Sequence, residues 1–341
     1  MTLSLQLDTA RWRAHQRSVL AEFPGLVPVA KGNGYGLGNL RLAEEANRLG
    51  TGLLAVGTAD EARTLAGAFD GELLVLTPYR PGEEPLPAEV IRTVAHLEAA
   101  RALPTGSRAV VECMTSMRRH GVSTADLARL PVDGLRLEGF ALHLPLDRPD
   151  GSDPVAEVAD WVTAVAAAGL PTDRFFLSHL GSADLARLAR RYPDTEFRSR
   201  IGTRLWLGDV GALTALATVM DVTPVAKGDR YGYRQHRAPS DGHLLVVSGG
   251  TAHGVGLEAP KYVHGMLPRA KGLARAGLAT VNRTLSPYAW AGRQLWFAEP
   301  PHMQVSILFL PGGGAKPPAI GDELELNTRH TTTHFDRVVD A

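Results

Sequence analysis

Over the first two thirds of the chain, short apolar runs alternate with longer stretches in which apolar positions return every three or four residues. The runs at 27–30, 53–56, 73–76, 109–111, 139–143 and 175–177 read as strands. Between them, 39–49, 59–65 and 88–102 read as helices. The clearest helix follows Asp153-Pro154, where Val155, Val158, Val162 and Val165 fall on one face and Gly169 ends the run. Strand–helix alternation to about residue 210 favours a parallel sheet. Its length suits a (β/α)8 barrel of the TIM type, with an open doubly wound sheet as the structural rival.

Past about residue 215 the helical periodicity fades. Runs at 244–247, 304–310 and 323–326 are separated by Gly/Pro turns such as "PGGGAKPPAIGD", which predicts a second, mostly β domain. The expected organisation is an α/β barrel over 9–215 and a C-terminal β domain over 216–341, with residues 1–8 joining the latter.

Composition narrows the function classes. The 341 residues are 44% hydrophobic, ample for two cores. Basic and acidic residues number 36 each, so no net charge points to a nucleic-acid partner. The single cysteine, Cys113, excludes an internal disulfide and a multi-cysteine zinc site. No signal-peptide pattern and no apolar stretch of membrane-spanning length occur, so a soluble cytoplasmic protein is expected.

The stretch "VPVAKGNGYGLGN" (27–39) carries Lys31 out of a buried run into a glycine-rich turn with one tyrosine, Tyr35. An ammonium there must reach water or be used, because burying it unpaired is costly. Desolvation lowers a lysine's pKa and suits it to form a Schiff base, whereas a solvated strand end is the plainer alternative. The turn is not a Walker loop, since no Gly-Lys-Ser/Thr follows. It is not the dinucleotide fingerprint either, since Leu37 stands where a third glycine is needed.

Barrels of this type place chemistry at the C-terminal ends of their strands. Those ends read Lys31 with Tyr35, "ECMTSMRRHG" (112–121), "GFALHLPL" (139–146), "SHLGSADL" (178–185) and "RSRIGTRLWLG" (198–208). In this order the set resembles the alanine racemase family, enzymes of fold type III that use pyridoxal 5′-phosphate (PLP). The resemblance implies a cofactor-binding site of Lys31, Tyr35, Arg119, His143, Ser182, Arg200, Gly202 and Thr203. Lys31 would be the Schiff-base lysine, while Tyr35, Ser182, Gly202 and Thr203 would hold the phosphate. Arg200 would face the pyridine nitrogen with His143 behind it, and Arg119 would lie beside the phenolic oxygen and the substrate carboxylate. Glu112 falls where many relatives carry a carbamylated lysine, and is expected to supply the same negative charge to Arg119. The resemblance further implies a head-to-tail homodimer acting on a small amino acid.

Two places depart from the family. Racemisation needs a base on each face of the α-carbon. Relatives supply the second from the partner subunit as the tyrosine of a Gly-Tyr-Ala-Asp-Gly motif. Here "SGGTAHG" (248–254) puts Thr251 at that position and His253 two residues on. A threonine hydroxyl is far too weakly acidic for the role. His253 has a suitable intrinsic pKa. In an extended segment, however, it would lie roughly 7 Å along the same face, so it substitutes only if the loop folds differently. The second departure is "GRQLWFAEPPHMQVSI" (292–307), which places Phe297, Ala298 and Glu299 where relatives grip the substrate carboxylate. The expectation is a PLP-binding protein with weak or absent racemase activity on alanine. The alternatives are a one-base PLP enzyme of aldolase or decarboxylase type, or a non-catalytic PLP-binding protein. His330, His334 and Asp336 have short spacings that chance produces often, and no metal is expected.

Overall fold

Eight parallel strands close into a barrel: Val27–Ala30, Leu53–Val56, Glu72–Pro78, Ile91–Val94, Arg108–Glu112, Arg136–His143, Arg174–Ser178 and Glu196–Ile201. Pairing of Val27 with Arg200 and Pro28 with Ile201 seals the first strand to the last. This is a computed structural model describing residues 2–149, 151–257 and 284–341. Side chains alternate across the wall, as strand geometry requires. Val29, Ala55, Leu74, Ile91, Val110, Ala141 and Phe176 fill the lumen. Phe140, Leu142, Phe175 and Leu177 face outward against Val158, Trp161, Val162 and Val165 of the helix Pro154–Ala167.

The stretch 88–102 departs from its helical reading. Residues Ile91–Val94 form the fourth barrel strand, and only Leu97–Ala102 is helical. Ile91, Thr93 and Val94 are β-branched and favour the strand. The Thr93 hydroxyl donates to the Val75 carbonyl at 2.6 Å, and His96 Nδ1 accepts from the Ala99 N–H to start the helix.

At the end where the strands begin, charges alternate around the rim. Arg108 pairs with Glu72 and, at 2.6 Å, with Glu138. Arg174 reaches Glu138 at 3.6 Å and Glu196 at 2.5 Å, and Arg198 reaches Glu196 at 3.6 Å.

The chain divides into two units. The barrel unit is Arg13–Gly208; the other joins the N-terminal residues up to Trp12 with Asp209–Ala341. The second unit is built on an eight-stranded sheet. Its long strand Leu213–Val225 pairs antiparallel with Leu3–Leu7, Glu323–Leu326 and Gly242–Ser248. Leu3–Leu7 also pairs in parallel with Arg337–Asp340. Leu3, Val219, Leu245, Val247, Tyr288, Leu308 and Leu324 are fully buried in its core.

Candidate active site

Lys31 follows directly on the strand Val27–Ala30. The next residues run through a chain of left-handed conformations, with Gly32, Gly34, Tyr35, Gly36 and Gly38 all at positive φ. Tyr35 is the one non-glycine residue among them, at φ 57°. One carboxylate ties this loop to its neighbour. Glu61 accepts the Gly32 N–H at 2.6 Å on one oxygen, and the Gly57 and Thr58 N–H groups at 2.7 and 3.0 Å on the other. It also belongs to the capping box that starts the helix Ala59–Leu65. Lys31 is open to solvent at its surface. Burial by the barrel mouth still pushes its pKa down, and the charges of Arg119 and Arg200 push it further, against the opposing pull of Glu61.

Arg200 enters the lumen from the last strand. Its Nη1 meets Glu112 Oε2 at 3.3 Å, with both side chains 4% exposed. This corrects the expected pairing of Glu112 with Arg119. Glu112 ends its strand inside the barrel, whereas Arg119 lies exposed on the following loop, its charge felt at Lys31, His120 and His143. The Nε and Nη2 groups of Arg200 are buried without an acceptor, and His120 Nε2 is likewise unpartnered. His143 ends its strand and meets the ring of His179 edge-on at 4.8 Å. Burial first, then repulsion by Arg200, Arg119, His179 and Lys31, holds the His143 imidazole down to about 3. His179 and His120 are lowered for the same leading reason.

The proposed phosphate contacts are only partly gathered. Tyr35 is buried, and burial aided by the Glu61 charge pushes its phenol up to about 12, so it stays a donor. Its hydroxyl lies against Gly202, where any Cβ would overlap it. Thr203 opens the short helix Thr203–Leu207, which Trp206 pins to the lysine strand by donating to the Val29 carbonyl at 2.8 Å. Ser182 is turned elsewhere, donating to Glu22 at 3.0 Å, and Glu22 is held by Arg204.

In the second unit, Thr251–His253 is a 3-10 turn rather than an extended segment. The turn buries His253. Its Nδ1 accepts the Gly250 N–H at 3.2 Å, and its Nε2 faces Asp336 Oδ1 at 3.2 Å. Asp336 also accepts the Leu3 N–H at 2.8 Å. Among the described residues no group of three or more His, Cys, Asp or Glu side chains could hold a metal ion. Phe297 ends the strand Arg293–Phe297, Ala298 continues its pairing through Ile307, and Glu299 is buried in the following loop.

Sequence reasoning missed Glu61, His120, His179 and His302. His179 directly follows the strand Arg174–Ser178, so the strand-end rule could have found it. The T-x-x-E spacing of Thr58 and Glu61 announces a helix start but gives no sign of the reach to Gly32.

The family model described as alanine racemase, N-terminal domain, matches residues 7–206. The alanine racemase of Mycobacterium tuberculosis is 29% identical over 275 residues, 71% of each chain. That of Mycolicibacterium vanbaalenii is 30% identical over 295 residues, 74% of this chain and 72% of its own. The structure of alanine racemase from Bartonella henselae with covalently bound pyridoxal phosphate superposes with a TM-score of 0.72 at 17% identity, over all of both chains. The histidine racemase of Leuconostoc mesenteroides gives 0.67 at 18%, covering 99% of this chain and 97% of its own. At such identities the superpositions speak for the fold.

Proposed function

The chain belongs to the alanine racemase family, and from that premise we propose that it binds PLP covalently through Lys31 and moves a proton at the α-carbon of a small amino acid. When bound, the cofactor supplies an electron sink that eases removal of that proton. The observation that carries the reading is Arg200, a buried guanidinium with two nitrogens lacking acceptors, at the barrel mouth that bears Lys31. A ring nitrogen with a free lone pair accepts from one of those N–H donors, because a guanidinium only donates and has no lone pair to take a proton from a protonated ring. The residues present therefore fit the group.

Each side chain then has a stated task. Lys31, whose pKa is lowered by burial and by the Arg119 and Arg200 charges, would hold the cofactor through its aldehyde carbon and would serve as the base on one face of the substrate. Tyr35 donates to the phosphate beside the backbone at Gly202 and Thr203. Ser182 joins them once its hydroxyl leaves Glu22. Arg119 attracts the substrate carboxylate, and His143, neutral above about pH 3, supports Arg200. His253 would have to give up both Gly250 and Asp336 to reach a substrate.

Thr251 cannot itself supply the second proton transfer, a step worth roughly 10²–10⁴-fold, so inversion of alanine is expected to be weak or absent unless another group of the β domain takes the tyrosine's place. The same threonine favours the second reading, a one-base or non-catalytic PLP protein. We also infer a head-to-tail homodimer in which each β domain completes the other's site. The test is to load the protein, record a visible absorbance band that borohydride bleaches, and map the reduced adduct. Label on Lys31 is expected, and Lys31→Ala should abolish it while the barrel stays folded. Label on a different lysine overturns the assignment.

A further inference from the structure

Within the β unit, a cavity of about 410 Å³ is lined by Thr251, Tyr233, Arg234, Glu299, His302 and Met303. Two of these side chains are coupled. His302 Nε2 lies 2.7 Å from Glu299 Oε1, and the Glu299 side chain is 3% exposed. The other carboxylate oxygen accepts the Tyr233 N–H at 2.9 Å, and a Cβ on Gly232 would overlap it. The Tyr233 ring lies 4.7 Å from the His302 ring. The Thr251 N–H donates to the His302 carbonyl at 2.8 Å, which ties the two loops together.

From this arrangement we propose that His302 is the second acid/base group of the reaction and Glu299 its positioning residue, replacing the tyrosine lost at Thr251. The inference rests on the function proposed above. A carboxylate that takes the Nε2–H of an imidazole leaves the Nδ1 lone pair as the base, and Nδ1 has no hydrogen-bond partner among the described residues. Proton transfer balances simply. The Cα–H bond breaks, its proton goes to Nδ1, and its electron pair stays with the substrate. On return the imidazolium gives a proton to Cα, while Glu299 retains Nε2–H. The Nε2 contact with Glu299 orients the ring, and the Tyr233 ring lies beside it. His253, locked from both sides, cannot do the same.

The first test needs no cofactor. Nitrogen-15 spectra of the full-length chain should show His302, identified by its loss in His302→Gln, as the Nε2–H tautomer. In Glu299→Gln, the Tyr233 N–H claims the single amide oxygen. The amide NH2 then confronts Nε2, so the tautomer should reverse to Nδ1–H. The second test follows the PLP-loaded protein in deuterated water across the amino acids. His302→Gln should lower inversion about 10²-fold more than it lowers exchange with retention. An unchanged tautomer in Glu299→Gln, an unchanged ratio in His302→Gln, or a loaded wild-type protein that inverts no amino acid overturns the proposal. A chain that takes up no PLP overturns the function proposed above instead, and the tautomer result distinguishes the two failures.

Discussion

Glu112 and Arg200 illustrate how much one buried charge constrains this barrel. Removing one partner of such a pair leaves the other uncompensated in low dielectric, at a cost of about 3 kcal/mol. Glu112→Gln should lower barrel stability by about that amount in urea unfolding, and a change under 1 kcal/mol would show that Arg200 finds another counter-charge. His143 sets a pH dependence whose sign is fixed. Its folded-state value of about 3 lies below the ordinary 6.5, so between these values the unfolded chain binds a proton that the folded chain refuses. Stability therefore falls as pH drops from 6.5 toward 3. His143→Gln should make that fall shallower, by up to one bound proton, when melting is followed across the window. The residues at strand ends could be read from the sequence because a strand's last position is a local fact. Pairing could not: the Glu112–Arg200 contact depends on barrel closure, and the Glu299–His302 pair on a loop with no regular period.

Among the elements, those with unambiguous periodicity, such as the helix Pro154–Ala167, were evident from apolar spacing alone. The strand Ile91–Val94 was not. It is short, lies close to a helix, and includes Arg92, whose side chain packs over Tyr79 and pairs with Glu83. Its strand state is a tertiary outcome, stabilised by pairing with Leu74 and Val75 on one side and Ala109–Val111 on the other. Glu61 shows the reverse, a local capping signal that also serves a distant loop. Glutamine at this position keeps one acceptor oxygen for three N–H groups. A charge-assisted hydrogen bond is worth roughly 1.5–3 kcal/mol. Glu61→Gln should thus speed hydrogen exchange at the Gly32 amide by about 10–100-fold, read by NMR or mass spectrometry. Unchanged exchange would mean the lysine loop holds its shape by glycine geometry alone.

For the molecule as a whole, the alternating charges where the barrel strands begin act as one network rather than as separate pairs. Arg108 is its best-buried member, and Arg108→Met would leave Glu138 with only the 3.6 Å contact to Arg174. A loss of about 3 kcal/mol is expected, read by calorimetry as a lowered barrel transition. The proposed dimer is tested by light scattering at micromolar concentration, where a PLP-loaded monomer would count against it. The order of the chain has a further consequence. The barrel residues are contiguous, but Leu3 must wait for Ala217 to be made before its strand has a partner. At roughly 5–20 residues per second on the ribosome, that wait is about 10–40 s. During it, the barrel can close while an apolar strand trails from its beginning, exposed to chaperones and to the same strand on neighbouring nascent chains. The aggregate-free yield is then expected to fall as ribosomes are packed more closely on one message, even where the stability of the finished protein is unchanged.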